Sequence, residues 1–124
     1  MTAYFPGRPP IDAYGGGGFR FAGMSHKGSI LILPSGVYGW PVDATNLAPS
    51  DFTAVFNEQA DIEFLLFGTG ADMLRPAKPI RDLFQSRGLA LDFMSTGSAV
   101  RTWNVLLAEK RRVAAALIAV ETAS

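Results

Sequence analysis

Two turns in this sequence carry the residue types best suited to holding a ligand. Phe67-Gly68-Thr69-Gly70-Ala71 leaves one predicted strand, and Met94-Ser95-Thr96-Gly97-Ser98-Ala99 leaves the next. Glycine lets backbone amides approach a bound group, threonine adds a hydroxyl, and a helix entered at Ser98 presents unpaired amides at its positive end. Arg75 and Arg101 stand near the two turns in sequence and could complete the set with charge-assisted hydrogen bonds. Gly68, Thr69, Gly70, Arg75, Thr96, Gly97, Ser98 and Arg101 are therefore the candidate ligand-binding residues, and the ligand they suit is a small carboxylate or phosphate. The same residues have an ordinary reading. Thr-Gly is common turn chemistry after a strand, threonine caps helices, and arginines near helix starts usually sit in water.

Covalent chemistry has less to draw on. Ser98 or Thr96 as a nucleophile would need a base. His26 is the single histidine of 124 residues, and its stretch Ser25-His26-Lys27-Gly28 reads as an exposed loop tip. The absence of cysteine excludes a disulfide framework, a thiol nucleophile and a thiolate metal site, and one histidine cannot build a multi-histidine site. No catalytic residue is assigned, and neither a metal nor another cofactor is expected. The run Gly15 to Gly18 lacks the lysine and following hydroxyl of a phosphate loop and reads as a hairpin turn. Asp61 and Glu63 fall on one face at period two, Asp72 suits a local turn contact, and the basic stretch closing at Arg112 suits a helix carboxyl end.

The elements that must position the two turns follow from pattern. Ile11 to Tyr14 and Phe19 to Ala22 flank the glycine run as short antiparallel strands, with Phe19 and Phe21 on one face and Arg20 on the other. Gly28 to Leu33 and Val37 to Trp40 make a further strand pair around Pro34-Ser35-Gly36. Ser50 is placed to cap a helix bearing Phe52, Val55 and Phe56, and Ile62 to Phe67 is a buried strand. Pro79 opens a helix through Ser86 that Gly88 ends, Leu89 to Met94 is a strand, and Thr96 or Ser98 caps a helix striped by Val100, Trp103, Leu106 and Leu107. Val113 to Val120 suits strand or helix by periodicity, and its eight residues behind a basic triplet favour a buried strand.

This order predicts an α/β fold: one three-layer domain with a central mixed, mainly parallel sheet, helices packed on it and a β-rich amino-terminal layer. Residues 1–10 are expected to be an extended segment, 11–120 the domain and 121–124 a tail. In such sheets the carboxyl ends of parallel strands form the usual ligand edge, which is where both Thr-Gly turns fall.

Eleven basic residues balance eleven acidic ones, which argues against the broad basic face that nucleic-acid binding needs. No run approaches the roughly 20 apolar residues of a membrane span. Met1 to Pro10 reads as neither a secretion signal nor a transit peptide, so the cytoplasm is the default location. Aromatic residues are 11% of the chain, and Phe5, Tyr38 and Trp40 are candidates for a homodimer surface.

Phe67-Gly68-Thr69-Gly70, the later run from Thr96 to Leu106 (TGSAVRTWNVL), and Glu109, Arg111 and Arg112 to Leu117 together carry a family resemblance. From about Ile11 to Val120 the chain resembles the bacterial and archaeal proteins grouped as domain of unknown function 498, a family that includes mitochondrial complex I assembly factor 3. Relatives often have tyrosine where this chain has Trp103, which keeps an aromatic packing residue. The resemblance implies a three-layer α/β fold whose last strand is antiparallel to its neighbours, and it favours the strand reading of Val113 to Val120. It carries over no catalytic residue. It implies a non-enzymatic interaction or assembly-type protein with protein partners, linked to respiratory complex assembly by analogy. Binding of a small anion at the Thr-Gly turns is the alternative.

Overall fold

Strand β1 (Ile11–Gly15) turns back through the glycine run into β2 (Gly18–Phe21), and β3 (Met24–Lys27) completes a three-stranded antiparallel layer. The computed structural model describes residues 5–123, so 1–4 of the expected amino-terminal segment and 124 of the expected tail lie outside the described residues. Phe19 and Phe21 are buried and Arg20 is exposed, as the alternation requires. The turn is pinned from outside: the Gly16 and Gly17 amides donate to the carbonyls of Glu121 and Val120 at 2.7 and 2.9 Å. His26 corrects the loop expected around it. It stands in β3, paired with Phe19, because β3 needs only one covered face and its polar composition hides the alternation.

The second sheet has the order β5-β4-β8-β6-β7. Its strands are β4 (Ile30–Leu33), β5 (Gly36–Gly39), β6 (Phe64–Gly68), β7 (Ala90–Met94) and β8 (Ala114–Leu117). β4 pairs antiparallel with β5 and β8, while β6 pairs parallel with β7 and β8. The sheet is thus mixed, with its parallel half at β8-β6-β7. The last strand is antiparallel to β4 only, which corrects the expectation that it opposes both neighbours. The chain crosses from β7 over β6 through a helix and so re-enters alongside β6 in the same direction. β8 reads Ala-Ala-Ala-Leu and is buried throughout. Alanine is a poor strand former, yet a central strand covered on both faces has room for little more.

Helices α1 (Thr53–Asn57) and α2 (Lys78–Arg87) cover one face of this sheet. Trp40, Phe52, Phe67 and Phe84 meet there edge to face, with centroid separations of 5.3 to 6.1 Å. Helix α3 (Thr96–Ala108) and the front β layer cover the other face around Phe21, Leu66 and Trp103. These are the three layers expected. Ser50 does not cap: Pro49 opens a 3-10 turn over Pro49–Phe52, and Asp51 takes up the Ala48 amide at 2.8 Å. Proline has no N–H to satisfy at a first helical position, which favours that start. Tyr38 and Trp40 are buried, and Phe5 is half-buried against Phe21 at 6.4 Å. Burial in the chain's own core accounts for the rings of Tyr38 and Trp40 without a second copy, and Phe5 keeps part of its surface exposed.

Trp103 and the next residue tie the amino-terminal segment down. The buried indole N–H donates to the Pro9 carbonyl at 2.9 Å. The Asn104 side chain pairs with the Ile11 backbone in both directions, at 2.8 and 2.9 Å.

Arg111 does not close a helix, since α3 ends at Ala108; it pairs with Glu63 at 2.9 Å, and the Arg112 amide donates to the same carboxylate at 3.1 Å. The hydrogen bond from Arg111, then that from the Arg112 amide, holds the Glu63 carboxyl below its ordinary value of 4.5. A lowered acid pKa stabilises the fold above the unfolded value and ceases to do so as pH falls through the folded one. Urea titrations stepped from neutral pH to below 4.5 should therefore show wild type losing more stability than Glu63→Gln. Parallel pH profiles for the two proteins would remove Glu63 from that account.

Candidate functional site

Both Thr-Gly turns lie at the carboxyl ends of the parallel strands β6 and β7, on one edge of the sheet. The structure brings them into contact through Thr96, whose side chain is wholly buried. Its hydroxyl donates to the Ile118 carbonyl at 2.7 Å and accepts from the Gly70 amide at 3.0 Å, while its own amide donates to the Gly70 carbonyl at 2.8 Å. One side chain thus joins the ends of β6 and β8 to the start of α3. Gly68 lets the turns meet: a β-carbon there would lie 3.0 Å from both the Thr96 Cα and hydroxyl. Gly70 has φ +112, a conformation that side chains other than glycine's rarely tolerate.

Thr69 organises the loop that follows. Its hydroxyl donates to the Asp72 carbonyl at 2.6 Å and accepts from the Leu74 amide at 3.0 Å, and its amide donates to the Met94 carbonyl at 2.8 Å. On the other turn the helix cap is Ser95, and neither Thr96 nor Ser98 has that role: the Ser95 hydroxyl accepts from the Ser98 amide at 3.3 Å. Thr96 is unavailable as a cap because its hydroxyl faces inward. At Gly97 an added β-carbon would lie 2.5 Å from the Tyr14 hydroxyl. The amide and hydroxyl donors of Thr69 and Thr96 and the amides of Gly70 and Ser98, on which anion binding would draw, are thus engaged within the fold.

The two arginines part company. Arg101 reaches back along α3 to within 3.4 Å of the Ser98 hydroxyl. Arg75 lies on the α2 face, where it lines a cleft of about 240 Å³ with Asn46, Leu47, Phe67, Leu74 and Ile80. The structure therefore brings together Gly68, Thr69, Gly70, Thr96, Gly97 and Ser98, but does not converge Arg75 and Arg101 on one point. Among the described residues no group of three or more His, Asp or Glu side chains is placed to hold a metal ion.

Sequence reading passed over the loop's apolar tip. Met73 and Leu74 are 64% and 59% exposed, among the most exposed large apolar residues described. Their signal in the sequence was an apolar pair in a segment that fits neither helix nor strand. Held up by the Thr69 hydroxyl beside the Arg75 cleft, this pair can present apolar surface to another molecule.

A family model described as a protein of unknown function (DUF498/DUF598) matches residues 11–118. The chain belongs to the DUF498/DUF598 family. An uncharacterized protein of Rhodobacter capsulatus is 39% identical over 92% of this chain and 87% of its own length. NADH dehydrogenase [ubiquinone] 1 alpha subcomplex assembly factor 3 of Danio rerio is 31% identical over 87% of this chain. The chain spans 63% of that assembly factor's length. Among solved structures, one described as an outer membrane protein from Bartonella henselae superimposes with a TM-score of 0.91 at 54% identity, covering 95% of this chain and all of that one. DUF498/DUF598 membership accounts for the three-layer α/β architecture. Among the described residues no helix is long and apolar enough to cross a membrane.

Proposed function

We propose that this chain is a non-enzymatic, assembly-type protein that acts in the cytoplasm through contacts with protein partners, with respiratory complex assembly as the process that family analogy supplies. The similarity to assembly factor 3 over most of the chain carries this reading. Two features of the molecule support it. The edge where an α/β protein would bind a small ligand is closed by its own hydrogen bonds. Beside it, Met73 and Leu74 offer exposed apolar surface of the kind that becomes buried in an interface.

The test is recovery of partners with a tagged chain expressed at native level in its own cells, compared with Met73→Ser/Leu74→Ser. The expected result is a reproducible set of respiratory-complex components in the cytoplasmic or membrane-associated fractions, with recovery reduced about tenfold or more in the double variant. Burying each such side chain is worth about 1.5 to 3 kcal/mol, and about 1.4 kcal/mol is tenfold in affinity. No reproducible partner would overturn the reading, and equal recovery by both proteins would remove Met73 and Leu74 from it.

A further inference from the structure

The two edges of the central sheet are treated differently. At β5 the amino-terminal segment closes the edge: Phe5 and Val37 exchange backbone hydrogen bonds at 2.8 and 3.4 Å. At β7 nothing among the described residues does so. The strand pairs with β6 in unbroken register from Phe64 opposite Ala90 to Gly68 opposite Met94. The Met94 carbonyl accepts from Thr69, so it faces β6, as do the backbone groups of Asp92 and Ala90 two and four residues back. The amides and carbonyls of Leu91 and Phe93 consequently point outward, and no hydrogen bond among the described residues involves them. β7 is guarded only lightly, by its short length and the single charge of Asp92. It has no proline, no lysine and no bulge.

The chemistry around this edge selects its occupant. The Asp92 carboxylate is exposed and has no hydrogen bond or ion pair among the described residues. A strand added antiparallel to β7 through Leu91 and Phe93 would place one residue opposite Asp92 in the close, non-hydrogen-bonded position, with Cα atoms about 4.5 Å apart. A second copy of this chain fits poorly there in the register of fullest overlap. The register in which Leu91 and Phe93 of one copy meet Phe93 and Leu91 of the other sets the two Asp92 carboxylates face to face, and like charges so placed repel. Lysine or arginine at that position would be attracted. On the same side of the sheet, Thr102 of α3 contacts the Met94 sulfur at 3.7 Å, and Val105, one turn further on, is 57% exposed.

We propose that the free edge of β7 captures an extended segment of a partner protein by strand addition, with a basic residue of that segment opposite Asp92. This deepens the assembly reading and rests on it for the existence of a partner.

The edge can be probed directly with capped eight-residue peptides of alternating threonine and valine, one with a central lysine and one with a central glutamate. The isotope-labelled full chain reports through its backbone amides. The lysine peptide is expected to slow hydrogen exchange at Leu91 and Phe93 and to bind about fivefold more tightly than the glutamate peptide, and Asp92→Lys should reverse that preference. An unchanged amide spectrum away from β7 establishes that the variant is folded. Equal binding of the two peptides, or no effect of either on these amides, would overturn the proposal. So would a dimer in light scattering whose Leu91 and Phe93 amides are already protected without peptide, since the occupant would then be a second copy. The two readings fail separately. Peptide capture without any partner in cells sinks only the assembly reading, whereas partners recovered equally well by Asp92→Lys, with no peptide capture, sink only the edge.

Discussion

Thr96→Val is expected to lower the free energy of unfolding by about 2 to 5 kcal/mol, read as a shift of the urea midpoint at unchanged slope. The substitution preserves shape and β-branching, so packing around the site changes little. What it removes is the hydroxyl that donates to Ile118 and accepts from Gly70, both buried. Each group left without a partner costs about 1 to 3 kcal/mol, and water cannot reach either one. Thr96→Ser keeps the hydroxyl and should recover most of the loss. If Thr96→Val were as stable as wild type, the Thr-Gly turns would not owe their sequence to closing the sheet edge, and their role as ligand donors would regain ground.

The second large effect is expected at Trp103. Its side chain is fully buried between α3 and the front β layer, and its indole N–H holds Pro9. Trp103→Ala should cost about 3 to 5 kcal/mol, the range for truncating a buried large aromatic side chain. Trp103→Phe retains most of the apolar volume but leaves the Pro9 carbonyl unpaired, so about 1 to 2 kcal/mol is expected. The distinguishing readout is local. In Trp103→Phe, amide exchange should accelerate at Ile11 and along β1 more than in β4 or β6, because Pro9 and Ile11 are the points where α3 holds the incoming chain. Uniform acceleration would mean that the indole contributes bulk and no anchoring bond.

The parts of the fold that were legible are those in which apolar spacing and punctuation agree. The β6, α2 and β7 segments were bounded by Pro79 and Gly88, and the helical stripe of α3 was plain in Val100 and Trp103. Reading failed where a partner strand decides and the segment's own residues carry no signal. Nothing local to Met24 to Lys27 marks a strand; β3 exists because β2 supplies its ladder. The direction of β8 depends on β4 and β6, neither of which neighbours it in the chain. At the candidate site, spacing correctly placed both turns on one sheet edge. It could not show that Thr96 points inward, because a threonine offering its hydroxyl to a ligand and one offering it to a backbone have the same local sequence. Arg75 and Arg101 were grouped by nearness to the turns, but one lines the cleft beside α2 and the other reaches back along α3 to Ser98.

The position of β8 bears on how the molecule comes into being. β8 follows every other element in chain order yet lies between β4 and β6, with Ile30 paired to Leu117. During synthesis the antiparallel pair β4-β5 and the parallel pair β6-β7 can each form early, but each then holds an open inner edge until residues 114–117 leave the ribosome. Non-local pairing of this kind closes slowly and leaves strand edges open to aggregation in the interval. The three alanines of β8 fit that interval. Strand side chains stand perpendicular to the sheet, so alanines leave the spacing between strands unchanged but ask little displacement of the layers above and below. The final insertion resembles closing a zip more than repacking a core.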